Sequence, residues 1–128
     1  MGLNDLNKAS SVAIHFALSY EVKSDVDTIG LAVMEGSVAK VTTDKELFAV
    51  VSTAMQFPDY FGNNWDAIDE CLSDMDWLPA DGYLLILRDA AQGWSQSPYV
   101  LGRFVTSWLD ACEYWTEQKI PFHIVFVM

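Results

Sequence analysis

Positive charge is what this chain has least of. Its 128 residues include 7 Lys and Arg against 18 Asp and Glu, a net charge of −11. Such a surplus repels polyanions, which excludes sequence-independent binding to DNA, RNA or an anionic membrane. The partner expected is neutral or basic. Cysteine is scarce too: Cys71 and Cys112 are the only two. They form neither a CxxC nor a Cys/His metal spacing, and a chain long enough to build a core needs no disulfide framework. They are expected to be reduced and structural. Gly and Pro number 7 and 4, and no low-complexity stretch is present, which excludes collagen, repeat arrays and a disordered chain. Long hydrophobic runs are missing, since the longest aliphatic stretch is Leu84 to Leu87, far below membrane length. Val12 to Leu18 is interrupted by His15 and follows no basic leader, and Leu6 stands where myristoylation wants Ser or Thr. A soluble cytoplasmic protein is expected. The catalytic patterns HExxH, GxSxG, GxGxxG and the P-loop are missing as well.

What is present is apolar and aromatic: 52% of the residues are hydrophobic and 13% aromatic, enough for the core of one globular domain. Residues 1–10 show no periodicity and read as a tail. Val12, Ile14, Phe16, Leu18, Tyr20 and Val22 alternate with smaller or polar residues, the period of a strand. Lys23 to Thr28 is a polar break, and Ile29 to Met34 is a short apolar run closed by Glu35-Gly36, consistent with a buried strand.

The period then lengthens. Leu47, Val50, Val51, Ala54 and Met55 recur at helical spacing behind Thr42 or Thr43 as N-cap, with Glu46 placed for a capping box, and Pro58 bounds that helix. Asn63 or Asn64 caps a second helix from Trp65 to about Ser73. Tyr83 to Arg88 reads as a strand in the middle of a sheet, followed by the polar segment Asp89 to Ser97. A helical stripe runs from Tyr99 to about Gln118, and Phe122 to Met128 makes a last strand. Helical crossovers between the last three strands predict a small parallel α/β sheet with helices packed on it.

The acidity is concentrated. Between Lys45 and Arg88 no basic residue occurs, while Glu46, Asp59, Asp66, Asp69, Glu70, Asp74, Asp76 and Asp81 do. On the second helix, counted from Trp65, Asp69, Asp66 and Glu70 fall at roughly 40°, 100° and 140°, and Ala67, Ile68, Cys71 and Leu72 between roughly 200° and 320°. One face is anionic and the other is core. A solubilising surface intersperses lysines, and this one does not. The adjoining loop holds Tyr60, Phe61 and Trp65 around Gly62, Asn63 and Asn64. Aromatic anchors beside unpaired charge are typical of a protein-binding surface. Phe61 and Trp65 are expected in the core, with Tyr60 turned outward.

Residues 57–74, FPDYFGNNWDAIDECLSD, resemble the signature of the barstar family of ribonuclease inhibitors. That signature is a Pro-acidic-Tyr-aromatic-Gly-x-Asn loop followed by a helix reading Asp-Ala-hydrophobic-x-acidic-Cys-Leu. The resemblance implies a three-stranded parallel sheet packed with helices over residues 29–128. Residues 1–28 then form an N-terminal extension, mobile or part of the same domain, whose strand can add to the sheet. It implies an inhibitor that places an acidic helix and the preceding loop into the cationic active site of a small ribonuclease. Tyr60, Gly62, Asn64, Asp66 and Glu70 match the family's contact positions, and Asn63 and Asp69 complete the expected partner-binding set. Asp69 departs from the pattern, because an aromatic stands there in the best-known member, and Glu70 is one methylene longer than the usual Asp. The expected partner is a basic ribonuclease or a related basic toxin, with no nucleic acid, membrane, metal or cofactor, and the free chain is expected to be a monomer.

Two other readings compete. Three close carboxylates, or the Asp74-x-Asp76 pair, could bind Mg²⁺ in an enzyme, but carboxylates on one exposed helix face do not converge on an ion without ligands from another element. His15 and His123 fall in strand patterns and read as ordinary structural histidines. The remaining alternative is an immunity or adaptor protein of the same fold that neutralises a different basic partner, which the extra carboxylate Asp69 and the N-terminal extension favour.

Overall fold

The computed structural model describes residues 5–22 and 28–128. In chain order the elements are strand β1 (Ile14–Ala17), strand β2 (Leu31–Ser37), helix α1 (Asp44–Ala54), helix α2 (Trp65–Asp74), strand β3 (Gly82–Arg88), helices α3 (Ala90–Gln96) and α4 (Pro98–Glu117), and strand β4 (Phe122–Val127). The strands form one parallel sheet in the order β1-β4-β3-β2. The central pair is the most apolar part of the chain, as strands covered on both faces must be. The sheet therefore holds the three strands expected from the resemblance and a fourth, β1, supplied by the N-terminal stretch.

Alternation along β3 and β4 sorts the core into two layers. Tyr83, Leu85 and Leu87 with Phe122, Ile124 and Phe126 face the helices, where they meet Leu47, Val51, Phe104 and Trp108. Leu84, Ile86, Val125 and Val127 face the other way and are covered by Ala17 and Leu6. Leu6 is only 1% exposed, so residues 5–10 are not the loose tail that their lack of periodicity suggests: an apolar anchor and the bonds of the Lys8 and Ser10 carbonyls to His123 and Cys112 lay this aperiodic segment on the sheet. The rest of that tail, residues 1–4, and most of the polar break, residues 23–27, lie outside the described residues.

The helices follow their local signals. Thr43 caps α1 by accepting from the Glu46 N–H at 3.2 Å. The Glu46 carboxylate reaches past it to the Thr42 N–H at 3.0 Å, and these bonds, the Thr42 hydroxyl first, hold Glu46 below the usual carboxylate range. Two boundaries differ from expectation. β2 extends through Glu35 and Gly36 to Ser37, whose backbones pair with Ile86, Leu87 and Arg88 of β3; the Glu35 side chain meets Arg88 at 3.2 Å, and glycine fits position 36 because a Cβ there would stand 2.8 Å from Val50 of α1. The polar segment after β3 is not a loop but α3. Its Gly93 packs so closely on Val38 that a Cβ would meet it at 2.6 Å, and this close approach offsets the cost of a glycine inside a helix.

Against the second layer, β1 is fastened by a chain of polar contacts. His15 Nε2 lies 2.9 Å from His123 Nδ1, and His123 Nε2 lies 2.7 Å from the Lys8 carbonyl. A carbonyl only accepts, so His123 donates from Nε2, and its Nδ1 is left to accept from His15. Burial, and then the neighbouring His123, lower the His15 pKa to about 4, and burial lowers that of His123.

Candidate functional site

α2 and the loop before it stand where the negative charge is concentrated. The helix starts at Asn64, whose side-chain oxygen accepts from the Ala67 N–H at 2.8 Å, the usual way to satisfy a first-turn donor. It ends at Met75, which takes a left-handed conformation with φ 54°. Between the caps Ile68, Cys71 and Leu72 are buried while Asp66, Asp69 and Glu70 are exposed, as the helical phase predicts. α4 fastens the far end: Trp115 Nε1 donates to the Leu72 carbonyl at 2.7 Å. Trp115 itself stacks near Phe122 of the central strand, so the anionic face is mounted on the middle of the core.

The loop is held by aromatic edges. Phe57 meets Phe61 and Trp77 with centroids 5.0 and 5.7 Å away, and Phe48 of α1 meets Phe61 and Trp65 at 6.1 and 5.0 Å. Phe61 and Trp65 are half-buried against the core, as expected, while Tyr60 is 67% exposed. Asn63 adopts φ 53°, a conformation Asn tolerates better than most residues, and the Asn64 amide donates to the Gly62 carbonyl at 3.4 Å.

Three features of this surface were not legible in the sequence. The Tyr60 hydroxyl donates to Asp74 at 3.1 Å, which ties the loop to the far end of α2. Partial desolvation, then this bond and the charge of Asp74, raise the Tyr60 phenol above its ordinary value. The carboxyl of Asp76 bonds to Asp74 and lies in its negative field, and both push it up. On the other side, the Trp65 indole donates to Asp44 at 3.2 Å, and the Arg103 guanidinium of α4 stacks 5.0 Å from the Trp65 ring centroid. The Tyr60–Asp74 contact spans fourteen residues and Trp65–Arg103 nearly forty, and no local pattern encodes either.

The acidic residues of this region make no ion pair with any of the described residues. The salt bridges among the described residues are Lys8–Asp5 and Arg88–Glu35, both elsewhere. No group of three or more His, Cys, Asp or Glu among the described residues is arranged to hold a metal ion. Both cysteines are free and buried. Desolvation, then Asp74 and Glu70, push the Cys71 thiol up, which makes it a poor nucleophile. No helix among the described residues is long and apolar enough to cross a membrane. The chemistry this surface can perform is recognition: bare carboxylates on a rigid helix beside an exposed aromatic ring.

Residues 31–127 match the family model described as Barstar (barnase inhibitor). No protein of curated function matches the chain in sequence. The match covers all but the N-terminal stretch, and the chain belongs to the barstar family.

Proposed function

We propose that the chain inhibits a small basic ribonuclease by seating α2 and the loop before it in the enzyme's cationic, phosphate-binding cleft. The observation that carries this reading is the exposed trio Asp66, Asp69 and Glu70, which has no ion-pair partner among the described residues. Carboxylates presented this way gain their counter-charges only from a partner. They take the places of RNA phosphates, and the concentrated field steers the encounter. Tyr60 and the Gly62–Asn64 turn extend the contact from charge to shape, with the ring of Tyr60 as an anchor at the rim. The fixed caps of α2 and its mounting on Trp115 favour affinity, because little has to be ordered on binding. The protein is on this reading a binding protein rather than an enzyme, and it works in the cytoplasm of the cell that makes the nuclease.

Asp69 supports a second reading. A third carboxylate on the face selects a partner with more positive charge, which suits a basic toxin of another activity.

The test is titration of a barnase-type ribonuclease with the purified protein at low and moderate salt, following RNA cleavage, with Glu70→Lys alongside. Stoichiometric inhibition that weakens with salt and disappears in the variant is expected. Full inhibition by Glu70→Lys removes α2 from the mechanism, and no inhibition by the native chain transfers the proposal to a different basic partner.

A further inference from the structure

The surface at β1 has a chemistry of its own. From Ala9 to Tyr20 the chain has no Asp, Glu, Lys or Arg, in a molecule of net charge −11. Val12, Phe16, Leu18 and Tyr20 are 69, 58, 48 and 64% exposed, and Met128 adds a further 43% exposed apolar side chain, next to β1 because its N–H donates to the Ala17 carbonyl. Grouped exposed apolar side chains of this kind mark interaction surfaces.

The backbone of β1 is half used. The Ala13 and Ala17 carbonyls accept from Ile124 and Met128 of the β4 side, so the polar groups of residues 13, 15 and 17 face β4 and those of Ile14 and Phe16 face outward. The strand is closed off at both ends. The Val12 N–H goes to the Ser10 hydroxyl at 3.0 Å and the Leu18 N–H to the Glu21 carboxylate at 2.9 Å. Among the described residues, the N–H and C=O groups of Ile14 and Phe16 remain open, two donors and two acceptors placed symmetrically about His15. This set is complementary to itself: against an antiparallel copy, Ile14 meets Phe16 of the copy, and Phe16 meets its Ile14, closing every open group. The exposed Phe16 ring, stacked 5.3 Å from Phe126 and 6.2 Å from Trp94, then covers the copy's Ile14. Trp94 Nε1, cut off from solvent and without an acceptor, belongs to the same aromatic group.

We propose that β1 is a self-association site, at which a second copy of this chain adds its β1 antiparallel about a two-fold axis at His15 to make one eight-stranded sheet. An isologous contact needs one patch complementary to itself, and the outward groups of Ile14 and Phe16 supply it. Charge selects the same occupant. Two chains of this acidity repel over most of their surfaces and approach most easily along the stretch from Ala9 to Tyr20, where the only carboxylate nearby, Glu21, is engaged at the strand end by the Leu18 N–H, whereas a basic partner gains little from an edge without charged side chains of its own. The monomer expected from the sequence gives way to a dimer whose formation leaves the α2 surface free.

The experiment is sedimentation equilibrium of the full chain from about 1 µM to about 1 mM. The apparent mass is expected to rise from 14.4 kDa toward twice that value. Added salt should strengthen the dimer by screening repulsion between the acidic copies. Phe16→Glu, which sets like charges across the axis, and Ile14→Pro, which removes an outward N–H while sparing the β4 ladder, should both hold the monomer mass. Circular dichroism is expected to stay native in Phe16→Glu, because that ring is already exposed, so the test stands even where the proline variant fails to fold. A native chain that remains a monomer over the whole range overturns the proposal, and so does a dimer that survives Phe16→Glu or is loosened by salt.

Discussion

α2 and β1 are both exposed elements beside the core, and they are built on opposite principles. α2 displays charge. Its outer face is carboxylate, its inner face buries Ile68, Cys71 and Leu72 and half-buries Ala67, and both ends are fixed by Asn64 and by the left-handed Met75. β1 displays apolar side chains and no charge. It is four residues long, with a single strand partner, and is pinned on its inner face by a histidine pair. The difference shows how a fold makes an exposed surface safe. Carboxylates without an ion pair among the described residues are tolerated on a helix whose other face is buried, because water solvates them. Exposed apolar residues are tolerated where the edge is short and capped at both ends, so that few partners can complete it.

The sharpest way to break the comparison is to attack the two faces of α2 separately. Leu72→Ala removes a side chain with 0% exposure and should cost about 2–5 kcal/mol in urea unfolding. Glu70→Ala should leave that curve in place while weakening partner binding about tenfold or more. Equal unfolding midpoints for the two variants would mean that the inner face does not support the outer one. A smaller effect is expected at the cap. Asn64→Ala should cost about 1 kcal/mol, read in the same unfolding assay, and should lower affinity both through the loosened helix start and through the changed Gly62–Asn64 turn.

The mildest prediction concerns β1. His15 has its pKa lowered to about 4 and that of His123 is lowered too, so the unfolded chain binds protons at a pH where the folded one does not. The stability this contributes is complete above the ordinary histidine value near 6.5 and is lost as pH falls toward about 4. His15→Gln should flatten that part of the stability profile, with no change in the response of α2 to Leu72→Ala. An unaltered profile in His15→Gln would assign the acid sensitivity to other groups.

Much of this was legible in the chain itself. The central strands show as apolar runs, β3 closed by Arg88. The start of α2 shows in an asparagine, and its two faces in the phase of Asp66, Asp69 and Glu70 against Ile68, Cys71 and Leu72. Local signals misled where a long-range contact decides. The alternation from Val12 to Val22 reads as one long strand, yet it stops at Ala17, because the Leu18 N–H is taken by Glu21 and the chain turns through Ser19–Glu21. The segment after Arg88 reads only as a polar stretch because it is too short to show an apolar stripe, and the contact of Gly93 with Val38, which seats a helix there, joins residues far apart in the chain.

By itself, the sequence determined the mixed α/β class of the fold, the acidic helix and which of its faces is turned to the core. Each of these depends on spacing and composition within about twenty residues, where periodicity and capping act. The tertiary structure alone decided that β1 lies beside β4, that His15 meets His123, that Tyr60 reaches Asp74 and that Arg103 covers Trp65. Those contacts join residues far apart in the chain. They exist because the sheet order and the packing of α4 bring them together, and nothing in the local pattern of either partner records that the other will be there.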